Sequence, residues 1–247
     1  SDTTQLPRVK IYATGGTIAG ASDSNTDNLF YQAGSIGIES LLDAVPEIHS
    51  FADVSGEQFL NVGSHEVTSK NLLTLSKLIQ TQFDNKTSEG IVVTHGTDTL
   101  EETAFFLDLT VRSDNPVVVV GAMRPATAIS ADGPLNLLQA TALAANAQAI
   151  GRGTMIVLND RIQSAYYTTK THANTLDTFR ASEQGSLGFF QNSVPQFYFS
   201  AATPTGKPLF DLSNIDELPI VDIVYSYQDA PADLLQASID RGAKGIV

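Results

Sequence analysis

The sequence predicts an α/β fold: a large N-terminal domain with a mostly parallel sheet covered by helices, then the start of a second, smaller α/β domain. Three observations predict it. Residues 90–94 and 116–120 are continuous Val/Ile-rich runs, as is typical of strands that are buried on both faces. Such runs alternate with segments of helical periodicity, as in βαβ units. After residue 207 the same alternation starts again.

Each element follows from these patterns. Helix 99–110 opens with a predicted capping box, in which Thr99 and Glu102 would each bond the other's backbone N–H group. Beyond it we expect an edge strand and a connection over 191–207. The strands are predicted at 9–13, 58–62, 90–94, 116–120, 154–158, 219–225 and 244–247, and the helices at 38–44, 72–79, 99–110, 134–147 and 231–240.

Length and pattern together predict the domain organisation. A chain of 247 residues favours one large domain, or one domain with part of a second. We expect an N-terminal domain at 1–190, an edge strand and interdomain linker at 191–217, and the incomplete start of a C-terminal α/β domain at 218–247. Residues 1–5 lack an initiator Met and are interpreted as a mature or trimmed start.

Composition argues against several classes of function. The 14 Lys plus Arg and 27 Asp plus Glu residues give a net charge of −13 with no basic cluster, which disfavours nucleic acid and acidic membranes as partners. No uncharged stretch is apolar enough to span a membrane. With no cysteine, the chain has no thiol nucleophile, thiolate zinc site or disulfide. No His/Asp/Glu grouping has the spacing of a metal site.

A Gly-rich turn with two threonines follows the first predicted strand. Gly15 and Gly16 permit a sharp turn with exposed N–H groups, and Thr14 and Thr17 place hydroxyls beside them. Two interpretations stay open: a hydroxyl nucleophile on its own oxyanion hole, or a plain turn whose threonines satisfy backbone groups. By itself the segment favours the plain turn. Its spacing fits neither the dinucleotide fingerprint nor the P-loop.

A second polar loop follows the strand at 90–94. Thr97 and Asp98 lie there at a helix N-terminus, where Asp98 could accept a substrate ammonium or simply cap the helix; His95 alone is more often structural. Because parallel strands end at a common edge, two such loops point to a shared polar pocket. Lys170 could lower the proton affinity of a hydroxyl there if it reaches the pocket, or it could be a solvated side chain.

Other candidates are weaker on residue type alone. Ser64 and His65 follow a probable strand and could form a turn, and Tyr31 could belong to the core or act as a phenolic proton relay.

Together these segments resemble the bacterial- and fungal-type L-asparaginases, especially the secreted or periplasmic high-affinity class. Both signatures of that family stand intact, at residues 11–19 and 90–100. Further segments match in the family's order over about residues 9–247: 121–125, 130–134, 159–160, 169–171 and 222–225.

The resemblance implies hydrolysis of the side-chain amide of L-asparagine to aspartate and ammonia, through an acyl-enzyme on Thr17 and without a cofactor. A weak glutaminase side activity is compatible with it. Tyr31 would lie on a lid and help to activate Thr17, while Asp98 would take the substrate α-ammonium. The implied catalytic residues are Thr17, Tyr31, Thr97, Asp98 and Lys170, and the implied substrate-binding residues are Gly16, Ser64, His65, Asp98 and Ala122.

The resemblance also implies a homotetramer, built as a dimer of dimers, and a secreted or periplasmic location. Two departures matter. His65 stands where many relatives carry Gln, and most of the family's smaller domain has no counterpart before residue 247. A chain that truly ends there would therefore be expected to have little activity. The alternative function is a non-catalytic protein that binds or senses amino acids through the same pocket.

Overall fold

The centre of the fold is an eight-stranded mixed sheet, seen in a computed structural model that describes residues 5–247. Of the predicted trimmed start at residues 1–5, residues 1–4 lie outside the described residues. In chain order the strands are β1 (Arg8–Gly15), β2 (Asp53–Val62), β3 (Gly90–Thr94), β4 (Val117–Val120), β5 (Thr154–Leu158), β6 (Arg161–Ser164), β7 (Thr169–Lys170), β8 (Phe179–Arg180), β9 (Gly188–Gln191), β10 (Val194–Phe197), β11 (Val221–Asp222) and β12 (Gly245–Ile246).

The order of strands in the sheet is β10-β9-β6-β5-β4-β3-β1-β2. Strands β2, β1, β3, β4 and β5 are parallel, whereas β6, β9 and β10 add antiparallel pairs at one edge. Chain order reverses direction between β1 and β3, and in open α/β sheets ligands bind at such a switch point, beyond the carboxyl ends of the strands.

Helices cover both faces of this sheet, which explains the absence of polar alternation in the strands. Val92 belongs to a buried cluster that includes side chains of helices Ile38–Asp43 and Gly133–Ala144, and Val93 belongs to a second cluster that includes side chains of helices Ser69–Asp84 and Leu100–Thr110. The predicted α/β class is therefore confirmed. The helices are α1 (Ile38–Asp43), α2 (Ser69–Asp84), α3 (Leu100–Thr110), α4 (Gly133–Ala144) and α5 (Asp233–Asp240).

The predicted capping box at the start of α3 is wrong. Thr99 caps no N–H group of the helix; its hydroxyl donates instead to the backbone oxygen of Ser64, at 2.9 Å. A contact between two loops has thus taken the group that a local pattern would use for the helix. The helix expected to continue to residue 147 ends at Ala144 and gives way to the 3-10 turn Ala147–Ala149.

The antiparallel strands β6 and β9 were missed, because they are four residues long and mix polar with apolar side chains. A usable signal did exist. Asn159 and Asp160 both have positive φ, 52° and 61°, in a two-residue turn between β5 and β6, and Asn and Asp are favoured in such hairpin turns. The edge strand expected within 191–207 is β10.

Beyond β10 the chain runs along the N-terminal domain before the β11–α5–β12 unit. The segment is fastened by polar contacts: Lys207 pairs with the buried Asp108 at 3.0 Å, and Arg112 pairs with Asp211 at 3.1 Å. Strands β11 and β12 are parallel but only two residues each, shorter than the strands expected at 219–225 and 244–247. The proposed domain boundaries stay predictions. In the described part of the chain, no helix has both the length and the apolarity needed for a membrane span.

Candidate functional site

A pocket of about 670 Å³ lies at the carboxyl ends of β1, β2, β3 and β4. All but one of the residues expected in the site line it. Those that do are Gly16, Thr17, Tyr31, Ser64, His65, Thr97, Asp98 and Lys170. They come from five separate segments of the chain. Three of these segments follow β1, β2 and β3, which end at one edge of the parallel sheet. Tyr31 comes from the loop after β1, and Lys170 from β7, which lies outside the central sheet.

The two threonine loops touch through their glycines. A Cβ added to Gly16 would lie 2.3 Å from the Cα of Gly96, and one added to Gly96 would lie 2.7 Å from the Cβ of Ser64. Gly16 also has φ +80°, a conformation that L side chains rarely adopt. These positions need glycine so that the loops after β1, β2 and β3 can stack backbone against backbone around the pocket.

Thr17 begins a short 3-10 turn directly after Gly16, and its side chain is buried beneath Tyr31. The Thr17 Oγ1 and Tyr31 Oη atoms are 2.5 Å apart, and either can donate the hydrogen bond. Tyr31 belongs to the 21–32 loop, which is closed by backbone bonds between Ala21 and Gln32. Its ring lies against Gly20, where an added Cβ would be 2.9 Å from Tyr31 Cδ2.

Lys170 reaches the second loop, as the resemblance implies. Its ammonium donates to Thr97 Oγ1 at 2.9 Å and to Asp98 Oδ1 at 2.7 Å. Since an ammonium only donates, Thr97 must accept that bond, and its own hydroxyl proton is free for another acceptor. The Lys170 side chain is 13% exposed, whereas that of Asp98 is 76% exposed, so the carboxylate remains accessible to a cationic ligand.

Ser64 is held by the neighbouring loop. Its Oγ accepts the Thr99 N–H at 3.3 Å, while its backbone oxygen accepts the Thr99 hydroxyl at 2.9 Å. His65 is exposed at the rim, with its ring folded back over Gly63. An added Cβ on Gly63 would be 2.7 Å from His65 Cε1.

His95 is a structural residue behind the pocket. It is fully buried; its ring Nδ1 lies 2.7 Å from the Gly96 oxygen and Nε2 lies 2.7 Å from Thr103 Oγ1. A carbonyl can only accept, so Nδ1 carries the proton and Nε2 accepts from Thr103. Burial lowers the pKa of His95, against a smaller opposing effect of the bond to Gly96. This neutral ring holds Gly96 in place beside Gly16.

Ala122 is the exception among the residues expected in the site. It is fully buried behind the pocket wall, and Met123 and Arg124 line the pocket instead. The Asp132 carboxylate accepts the N–H groups of both, each at 2.9 Å in its shorter bond, and so fixes this turn. The wall is therefore formed by the two residues that follow Ala122, because Asp132 turns the chain there.

Sequence reasoning missed several residues that line the pocket. Leu29 comes from the 21–32 loop, and Asn174 from the segment between β7 and β8. Neither loop belongs to the two signature segments at residues 11–19 and 90–100, and no local pattern indicated these side chains. Arg124 lies within residues 121–125, a segment that matches the family but was not predicted to line the site. The missed lining residues are Asn28, Leu29, Ala33, Gly63, Gly96, Met123, Arg124, Ala173 and Asn174.

Comparisons with known proteins show the family to which this chain belongs. A family described as "Asparaginase, N-terminal" matches residues 8–202. "Probable L-asparaginase 1" of Schizosaccharomyces pombe is 57% identical over 242 residues, which cover 98% of this chain and 67% of the relative. The chain thus spans about two thirds of that relative's length. A crystal structure named as a probable cytoplasmic L-asparaginase from Campylobacter jejuni is similar with TM-score 0.92 and 45% identity, covering 97% of this chain and 74% of its own.

The expected secreted or periplasmic location is wrong, since the similar solved structure is named cytoplasmic. A protein named "Probable L-asparaginase periplasmic" from Haemophilus influenzae is also similar, at 44% identity over 98% of this chain and 69% of its own length. The motifs behind the expectation line the pocket, and a pocket's chemistry carries no information about the compartment.

The family model covers most of the described chain, and the relatives named above align with nearly all of it. The same glycine-stacked loops and hydroxyl pairs lie within the matched region. This chain belongs to the asparaginase family of amidohydrolases.

Proposed function

We propose that the protein hydrolyses the side-chain amide of L-asparagine to L-aspartate and ammonia, with Thr17 as the nucleophile. The observation that carries the proposal is the pairing of each of two pocket threonines with a proton-handling side chain, Tyr31 at 2.5 Å from Thr17 and Lys170 at 2.9 Å from Thr97. Relatives named L-asparaginase support the choice of substrate.

The substrate's amino-acid head would bind between Asp98 and Ser64. Asp98 offers an accessible carboxylate for the α-ammonium, and the Ser64 hydroxyl can donate to the α-carboxylate while its Oγ accepts the Thr99 N–H. Arg124 is a further cation of the pocket wall. This binding orients the amide carbon toward the threonine hydroxyls, as a productive geometry requires.

In the first step, Thr17 Oγ1 would bond to the amide carbon while its proton passes to Tyr31. Tyr31 in turn releases its phenolic proton toward the departing nitrogen, so that ammonia leaves and an ester remains on Thr17. The negative charge that develops on the carbonyl oxygen would be stabilised by the N–H group of Thr97. The resemblance also implies the Gly16 N–H as a donor, but in this structure that group donates to the Val62 oxygen at 2.9 Å. Water then attacks the ester, releases aspartate and restores the Thr17 hydroxyl.

Lys170 would act on this reaction through Thr97. Its positive charge lowers the proton affinity of the Thr97 hydroxyl and directs that hydroxyl's proton into the pocket. In the described residues no cluster of three or more His, Asp and Glu side chains is placed to hold a metal ion. The steps proposed here use side chains and water alone. The homotetramer and the weak glutaminase activity stay predictions from the resemblance.

The experiment that tests the proposal compares turnover with binding. Ammonia release from L-asparagine is measured beside calorimetric binding, for the wild-type protein and for Thr17→Val, which keeps the side-chain shape and removes the hydroxyl. We expect ammonia from the wild type only and asparagine binding by both. Binding without ammonia release from the wild type would favour a non-catalytic amino-acid-binding protein and refute the proposal.

A further inference from the structure

Glu101 lies just outside the pocket, in the first turn of α3. Its carboxylate accepts the Thr169 hydroxyl at 2.9 Å through Oε1 and the backbone N–H of Lys170 through Oε2. It lines a shallow depression beside the pocket, together with Asp98 and Lys170, and does not line the pocket itself. Glu101 therefore holds the strand that carries Lys170 without reaching the substrate.

Lys170 needs such a hold because its own strand is small. Strand β7 contains two residues and pairs only with the two residues of β8, in a sheet separate from the central one. A two-stranded ribbon of this size is marginal without support from neighbouring elements. Lys170 is connected to α3 through Glu101 at its backbone, and to the turn before α3 through Thr97 and Asp98 at its ammonium.

Residues that are close together in sequence bind both the backbone and the ammonium of Lys170, and we call these contacts of Thr97, Asp98 and Glu101 the clamp. Thr97 and Asp98 lie in the turn directly before α3, three to four residues before Glu101 in its first turn. This short segment holds both ends of Lys170: Glu101 binds its backbone N–H, and Thr97 and Asp98 bind its ammonium. These contacts restrain the distance between the Lys170 Cα and the Thr97 hydroxyl. Such a restraint matters because catalytic groups must be held within about 0.5 Å of their productive positions.

We propose that Glu101 is a positioning residue, which acts on the reaction only by holding Lys170 against Thr97. The inference rests on the proposed function, because it assigns Lys170 a part in turnover. Glu101→Gln keeps the size of the side chain but leaves one acceptor oxygen for two donors, and it presents an NH₂ group to one of them. Thr169 or the Lys170 backbone then loses its partner.

The neighbouring Glu102 supplies a matched control. It lies in the same first turn, where either carboxylate interacts favourably with the helix dipole. Its side chain is exposed. The Thr169 hydroxyl and the Lys170 backbone N–H donate to Glu101 and not to Glu102. Glu102→Gln therefore removes the same charge from the helix end and leaves the clamp intact. The difference between the two variants isolates the hold on Lys170.

The test is a double-mutant cycle on ammonia release, with Lys170→Met as the second change. We expect Glu101→Gln to lower kcat by about 10- to 100-fold with little change in KM, because a misplaced catalytic group costs that much. Glu102→Gln should stay within about twofold of wild type at an equal Tm. In the Lys170→Met background, Glu101→Gln should lower kcat by less than about threefold.

Two results would overturn the inference. One is a Glu101→Gln protein with the kcat of Glu102→Gln; the other is an equal loss in the wild-type and Lys170→Met backgrounds, which would mean that Glu101 acts elsewhere. A crystal structure of Glu101→Gln gives an independent measurement. If the Lys170 Nζ to Thr97 Oγ1 contact is unchanged there, the inference fails whatever the turnover. A wild-type protein that releases no ammonia would instead refute the proposed function.

Discussion

The two hydroxyl pairs of the pocket differ in what holds them. The partner of Thr17 is Tyr31, on a loop whose residues 23–26 and 28–30 are exposed. The partner of Thr97 is Lys170, whose backbone N–H is bound by Glu101 of α3 and whose ammonium is bound by Thr97 and Asp98 in the turn before α3. One pair therefore depends on a surface loop, and the other on a two-residue strand held by Glu101 and by the turn before α3. The Tyr31 side is thus held mainly by contacts within its own loop, and the Lys170 side by contacts with the first turn of α3 and the turn before it.

The contacts of the 21–32 loop support this contrast. Most of its side-chain bonds are local, such as those from the Leu29 and Phe30 N–H groups to Asp27. Its links to the body run mainly to the segment at 126–129, including the bond from the Ile129 N–H to the Asn25 oxygen at 2.8 Å. Local unfolding of such a loop costs less than disruption of a packed element.

The largest expected effect comes from deleting either hydroxyl. Thr17→Val and Thr97→Val should each lower kcat for asparagine by at least about 100-fold, or about 3 kcal/mol, with a smaller change in KM, because both hydroxyls act in the transition state. Steady-state ammonia release measures this. If either variant keeps near-normal turnover, that threonine has no part in the chemistry.

A smaller effect separates the two sides. Tyr31→Phe keeps the ring against Gly20 and removes the phenol, so kcat should fall about 10-fold or more as the proton relay is lost. Gly20→Ala keeps the phenol but pushes the ring away, and it should lower kcat similarly. Normal turnover in both variants would show that Thr17 is activated without Tyr31.

A third prediction concerns the buried hydrogen bond between Thr103 and His95, behind the pocket. Thr103→Val leaves the buried Nε2 of His95 without its donor and should lower the free energy of unfolding by about 1–3 kcal/mol. Urea denaturation at pH 7.5 or so measures it. An unchanged urea midpoint would mean that the bond between Thr103 and His95 contributes nothing to the free energy of unfolding.

The same residue predicts a pH dependence of stability. The pKa of His95 is lowered in the fold from its ordinary value of 6.5 because burial disfavours the charged ring. The unfolded chain therefore binds the proton first, and the free energy of unfolding should fall as the pH drops below about 6.5. His95→Gln should remove part of this acid-induced loss. If its urea midpoint falls as steeply with pH as that of wild type, His95 does not cause the loss.

The smallest expected effect is on substrate choice at His65. A glutamine substrate would overshoot Thr17 by one methylene, and such a difference is worth about 1–3 kcal/mol of discrimination. The His65 ring can offer the α-ammonium one acceptor nitrogen, whereas the amide oxygen of Gln offers two lone pairs. His65→Gln should raise the ratio of glutaminase to asparaginase activity several-fold. An unchanged ratio would mean that position 65 does not set selectivity.

The same contrast explains what could be predicted from the sequence. Parallel strands such as β3 were found because burial on both faces leaves an apolar run, and the pocket was found because those strands end together. Contacts between distant loops leave no local pattern. The Thr99 hydroxyl went to Ser64 rather than to the helix, and the part of Glu101 depends on a partner 69 residues away. The resemblance, and not periodicity, identified Tyr31 and Lys170.

The central claim is that Thr17, beneath Tyr31, forms the covalent bond to the substrate and that Thr97 assists this step. The most direct measurement is rapid acid quenching of the protein with asparagine, followed by peptide mass spectrometry. The account predicts an added aspartyl group on the peptide that contains Thr17, absent from Thr17→Val. An aspartyl group on Thr97, or ammonia release with no acylated threonine at any quench time, would contradict it.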